Sequence, residues 1–147
     1  MKKYLSFALL ITFFISMSLV IAKGVSNNLL ENGTHFIIYP NETVMKFVDG
    51  KIIDEPLEIK KHSYFLFDYF EFKYNSTKDK VPITLQLPPD ETLIKINPQP
   101  IRYNSETENG KTLVSVTWEG NPNFVIIEYG NIFANFLRNL QLNFKIG

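Results

Sequence analysis

The sequence predicts an all-β chain: a single antiparallel β-sandwich of immunoglobulin-like architecture, with about seven to nine strands, preceded by an N-terminal hydrophobic helix. Three observations point there. Turn signals recur at Asp49-Gly50, Asn75 to Lys80, Pro88-Pro89, Asn97-Pro98, Asn109-Gly110, Asn121-Pro122 and Gly130-Asn131, with short apolar runs between them. Several of those runs alternate apolar and polar residues, the period of a strand with one buried face. Aromatic residues make up 17 of the 125 residues beyond position 22, enough bulk for a packed interior without disulfides.

The first element is not part of the sandwich. Lys2 and Lys3 precede 18 uncharged residues, 5–22. A basic start followed by an apolar run is an export signal. Compact residues before Lys23 suit cleavage after Ala22. The run is longer than the about 7 to 15 residues of an ordinary signal core and approaches the roughly 20 that span a bilayer, so retention as a signal anchor is the alternative. Either way the remainder crosses the membrane. Residues 23–33 are small and polar and read as a linker, and 34–147 form the sandwich domain.

Within the domain, Thr34 to Tyr39 is an apolar strand. Asp49-Gly50 predicts a hairpin with Phe47 opposite Ile52 and Met45 opposite Asp54. Residues 64–74 crowd seven rings into eleven positions and read as a central strand covered on both faces. Strands follow at 83–87 and 93–96. Asn109-Gly110 is the strongest local signal, because that dipeptide takes positive φ at both centres of a type I′ turn. It sets Glu108 against Lys111, Ser105 against Val114, Tyr103 against Val116 and Ile101 against Trp118. The last three pairs share one mostly apolar face, read as core; Arg102, Asn104 and Glu106 share the other. Residues 124–129 form the next strand. Ile132, Phe133, Phe136, Leu137 and Leu140 fit a helical stripe, but Asn and Phe are poor helix formers, so 131–139 reads as strand or turn. The alternation of 140–146 reads as a final strand, with an edge free to pair with another chain.

Composition narrows the chemistry. The chain has no cysteine, which excludes disulfides, thiolate metal sites and cysteine nucleophiles. Losing residues 1–22 removes Lys2 and Lys3 and no acid, leaving 13 basic against 15 acidic residues. That balance gives no reason to expect nucleic acid or an anionic membrane surface as partner. The two histidines, His35 and His62, are not in chelating spacing. No nucleophile elbow, phosphate loop or dinucleotide fingerprint is present. Catalytic, cofactor-binding and metal-ligating residues are therefore expected to be none, and no cofactor is expected.

Two acids stand apart. Asp68 interrupts the aromatic stretch and, if buried, needs Arg102 or Arg138. Glu128 sits in an apolar strand and is expected at an exposed end or paired with an arginine. N-x-Thr sequons at Asn32, Asn41 and Asn75 are candidate glycosylation sites in a chain that leaves the cytoplasm. These observations lead to an exported cell-envelope or secreted protein with a non-enzymatic binding or structural role. Its expected partners are an envelope protein or a glycan, and the membrane itself if residues 1–22 stay uncleaved. One alternative is a carbohydrate-binding module using exposed rings among Tyr64, Tyr69, Tyr74, Tyr103 and Trp118. Others are a membrane-tethered accessory subunit and a small hydrolase requiring acids and a histidine to converge.

Overall fold

The computed structural model describes residues 32–76 and 78–145; the hydrophobic helix, Ala22 and Lys23 lie outside them. In chain order the elements are β1 (Thr34–Ile38), β2 (Val44–Val48), β3 (Lys51–Ile53), β4 (Ile59–Ser63) and β5 (Asp68–Asn75). They continue with β6 (Ile83–Gln86), β7 (Thr92–Asn97), β8 (Arg102–Glu108), β9 (Lys111–Trp118), β10 (Phe124–Gly130) and a C-terminal helix, α1 (Ile132–Lys145). Two sheets result, a six-stranded one ordered β3-β2-β1-β6-β9-β8 and a four-stranded one ordered β4-β5-β10-β7. The all-β sandwich is as expected, with ten strands among the described residues rather than seven to nine.

The two inner faces make the core. Phe36, Ile38, Ile83, Leu85, Val114, Val116 and Trp118 of the larger sheet meet Phe72, Tyr74, Val125, Ile127 and Tyr129 of the smaller. These residues alternate along their strands, as period-two geometry requires. Rings bridge the layers, with Phe36 centred 5.6 Å from Phe72 and 4.7 Å from Tyr74. The Trp118 indole donates to the Pro98 carbonyl at 3.0 Å, which satisfies its one polar atom.

Local turn chemistry placed the hairpins correctly. Asn109 and Gly110 take φ of 52° and 75°, and β8 pairs β9 with Glu108 opposite Lys111, Ser105 opposite Val114 and Tyr103 opposite Val116. Phe47 lies opposite Ile52 across the second hairpin. Left-handed backbone costs a non-glycine residue roughly 1–2 kcal/mol, and nothing lies within 4 Å of a Cβ added at Gly110. Gly110→Ala should therefore lower stability by about 1 kcal/mol through the backbone alone, read as a shift in urea midpoint by Trp118 fluorescence.

Four expectations are corrected. The larger sheet is not purely antiparallel, because β1 runs parallel to β6 with Thr34 opposite Ile83; a parallel pair needs a crossover, supplied here by β2 to β5. The face of β8 carrying Tyr103 is not core, since every residue of β8 is exposed. Six strands facing four leave an overhang, and β8 is an edge with no opposing strand. Residues 64–67 are a loop, and β5 begins at Asp68. In place of the strand expected at 140–146 and the strand or turn at 131–139, Ile132–Lys145 form one helix, and Ile146 lies outside the described residues. The helix start is set by Asn131, whose Oδ1 accepts from the Ala134 N–H at 2.8 Å, an N-cap that outweighs weak propensity. The free edge expected there does not exist.

Candidate interaction surface

Helix α1 lies over the outer face of the four-stranded sheet, touching β7, β10 and β5. Gly130 lets it come close, because a Cβ there would sit 3.0 Å from the Ala134 Cβ. The contacts that hold it are mostly polar. Asn135 Nδ2 donates to Thr92 Oγ1 and to the Leu93 carbonyl, both at 2.9 Å. Arg138 Nε and Nη2 donate to the Glu128 carboxylate at 3.3 and 3.4 Å, and Nη1 to Gln141 Oε1 at 2.9 Å. The guanidinium also lies 4.5 Å from the centre of the Tyr69 ring, within cation–π range. Ala134 is fully buried.

The apolar side of the helix therefore faces away from the domain. Ile132, Phe136, Leu140 and Phe144, each four residues apart, share one stripe with Phe133. Ile132, Phe136 and Phe144 are 79, 62 and 81 % exposed. A surface helix normally turns that stripe to the core. Each such side chain forgoes about 1.5–3 kcal/mol by staying in water, which makes this face of α1 the candidate contact surface.

A second apolar element adjoins the helix. Tyr64 stacks on Phe67 and on Tyr69, with ring centres 5.2 and 5.9 Å apart, and Tyr69 carries Arg138. That chain of contacts sets the loop between β4 and β5 beside α1 and leaves Phe65 wholly exposed and Leu66 mostly so. Burial, followed by a hydrogen bond with Tyr64, pushes the Tyr69 phenol up to about 12. It stays neutral, and Glu128 is the counter-charge of Arg138.

The charged groups under the helix are matched in pairs. Glu128 and Glu71 are opposite each other across β10 and β5. Glu128, 5 % exposed, is neutralised by Arg138, as its sequence context suggested. Glu71 contacts Lys73 Nζ at 3.2 Å and His62 Nε2 at 3.3 Å. Burial works to raise its pKa, but these two partners outweigh it and hold the carboxyl below its usual range. His62 also stacks on Tyr69 at 4.6 Å. Asp68 is half-exposed and pairs with Lys61 at 3.2 Å, not with either arginine. His35 lies apart on β1, its Nε2–H donating to the Asn32 carbonyl at 3.0 Å, and burial lowers its pKa.

The remaining candidates are dispersed. Asn32, Asn41 and Asn75 are exposed; Asn41 Oδ1 accepts from the Thr43 N–H at 3.2 Å, and Asn75 closes β5. Of the five rings considered for a sugar platform, Tyr69, Tyr74 and Trp118 are buried. Tyr64 and Tyr103 are exposed, but Tyr64 is in the loop between β4 and β5 of the smaller sheet and Tyr103 is on β8 of the larger. A groove of about 750 Å³ crosses the outer face of the six-stranded sheet past His35, Thr84, Thr117 and Asn104, with the Arg102–Glu119 ion pair at 2.8 Å on its rim. Among the described residues no cluster of His, Asp or Glu could hold a metal ion.

The outward stripe was half visible in the sequence. Its spacing was plain, but its direction depends on Asn135 and Arg138 finding partners on β7 and β10. Comparison with protein-family models, with curated proteins and with solved structures finds no match.

Proposed function

We propose that this is an exported cell-envelope or secreted β-sandwich protein, immunoglobulin-like in its two facing layers, with a non-enzymatic binding role exercised through α1 and the Tyr64 to Phe67 loop. The observation that carries the reading is the reversed polarity of α1. Five apolar side chains point to solvent while Asn135 and Arg138 face the sheet. Lys2, Lys3 and the apolar run at 5–22 support export, and the exposed sequon asparagines support modification in that compartment.

The test pairs localisation with loss of contact. In cells expressing the full chain, intact mass of the extracytoplasmic fraction reads both cleavage after Ala22 and any glycan at Asn32, Asn41 or Asn75. Protein found wholly in the cytoplasm overturns the export reading. The double variant Phe133→Ser/Phe136→Ser removes two exposed rings and should change stability by no more than about 0.5 kcal/mol. In protein cleaved after Ala22 it should shift the domain from a bound to a free fraction on gentle fractionation. An unchanged distribution removes α1 as the binding surface.

A further inference from the structure

We propose that the stripe Ile132, Phe133, Phe136, Leu140 and Phe144, together with the loop tip Phe65 and Leu66, docks the domain on an anionic phospholipid surface, with α1 lying in the plane of the interface. The inference rests on the export reading and deepens it by naming what the surface binds.

Shape favours lipid. The exposed residues form a convex ridge and a protruding tip from two separate chain segments on one side of the sandwich. A fluid interface accepts a ridge without a complementary groove, and amphipathic helices with Phe and Leu on one side insert that side at the boundary between headgroups and acyl chains.

Charge favours an anionic surface. Residues 129–147 contain no acid, and the charges of α1 are Arg138 and Lys145. On neighbouring β4, Lys60 is exposed and Lys61 nearly half-exposed. Of the acids near the ridge and the loop tip, Glu128 and Glu71 are almost buried and matched to cations, while Asp68 is half-exposed and paired with Lys61, which leaves Lys60 as the surplus charge on β4.

Tethering makes a modest surface sufficient. If residues 5–22 remain in the bilayer, the nine residues of 23–31 reach at most roughly 30–32 Å. Thr34 begins in the six-stranded sheet and α1 covers the other, but facing sheets are only about 10 Å apart, so the linker can round the sandwich. Docking then becomes an intramolecular event at high effective concentration.

Because the chain has no cysteine, single introduced cysteines report cleanly. Nitroxide labels are placed at Phe136→Cys, Phe65→Cys and, as control, Asn104→Cys on exposed β8. The full chain is inserted in phosphatidylcholine vesicles with or without phosphatidylglycerol, and collisions with oxygen and with a water-soluble nickel chelate are measured. Labels at 136 and 65 should collide with oxygen and lose collisions with the chelate, while 104 stays open to it. The protection should weaken without phosphatidylglycerol; protection indifferent to lipid charge overturns the anionic assignment. Loss of both collision types at 136 means protein covers the ridge, a second copy included, which overturns lipid docking and leaves a binding surface. Chelate access at 136 and 65 equal to that at 104 overturns both readings.

Discussion

Lys46→Met should destabilise the protein by about 3–5 kcal/mol, the cost of breaking a buried ion pair from one side, out of a typical domain total of about 5–15 kcal/mol. Lys46 points inward from β2 and is 7 % exposed. Its ammonium donates to Glu55 Oε2 at 2.6 Å and to the Tyr74 hydroxyl at 2.7 Å, and lies 2.7 Å from Asp79 Oδ1. Three donors meet three acceptors, and the Tyr74 ring lies 5.2 Å beneath the ammonium. Methionine keeps the volume but leaves Asp79, whose side chain is 7 % exposed, as an uncompensated charge. Burial alone would lower the lysine pKa; the bonds to Asp79, Glu55 and Tyr74 more than reverse it and hold it above the usual range. A raised lysine pKa stabilises the fold fully below the unfolded value, and that contribution is lost as pH rises through the folded one. The Lys46 difference should therefore be flat across neutral pH and shrink only in strong alkali. Urea unfolding of the full chain in a mild detergent, followed by the single buried tryptophan, measures it. A loss below about 1 kcal/mol would mean the network is solvated, in the range of a surface pair. Adding Asp79→Leu to Lys46→Met should recover much of the loss by removing the orphaned charge.

Arg138→Ala should cost about 3 kcal/mol, the lower end for a broken buried pair, because its bonds to Glu128 are longer than those around Lys46. The damage should be local. Glu128 keeps its buried position without a cation, Tyr69 loses the guanidinium above its ring, and α1 loses its one ion pair to the sheet while keeping Asn135 and Ala134 against it. Hydrogen exchange should show the amides of α1 losing protection while β1, β6 and β9 keep theirs. The double variant Arg138→Met/Glu128→Gln should restore much of the stability. Equal loss of protection throughout would show that the helix unfolds only with the sandwich.

What could be read from the sequence divides by range. The registers at Asn109-Gly110 and Asp49-Gly50 were legible because a two-residue turn determines its own strand pairing. The exposure of Tyr103 was not, because it depends on how many strands the opposing sheet has, a property of no local segment. Residues 140–146 alternate as a strand does, yet Leu140 and Phe144 also sit one helical turn apart. The Asn131 cap and the Arg138–Glu128 contact decided between the two. For the surface itself, the stripe of α1 and the ring-rich 64–67 segment were visible. Their outward direction was not, since nothing in a helical period says which side faces the domain.

The parallel pairing of β1 with β6 also governs when the domain can form. A chain made or threaded from its N-terminus presents β1 and β2 first, but β1 must wait for β6 and β6 for β9. In the other sheet β5 must wait for β10. Neither layer is complete until most of the chain has emerged, and such non-local pairing is slow and leaves strand edges open meanwhile. The emerging protein thus passes through an interval in which β1, a run of apolar residues, lacks its neighbour. A chaperone that shields this strand should matter more to yield than any substitution on the finished surface.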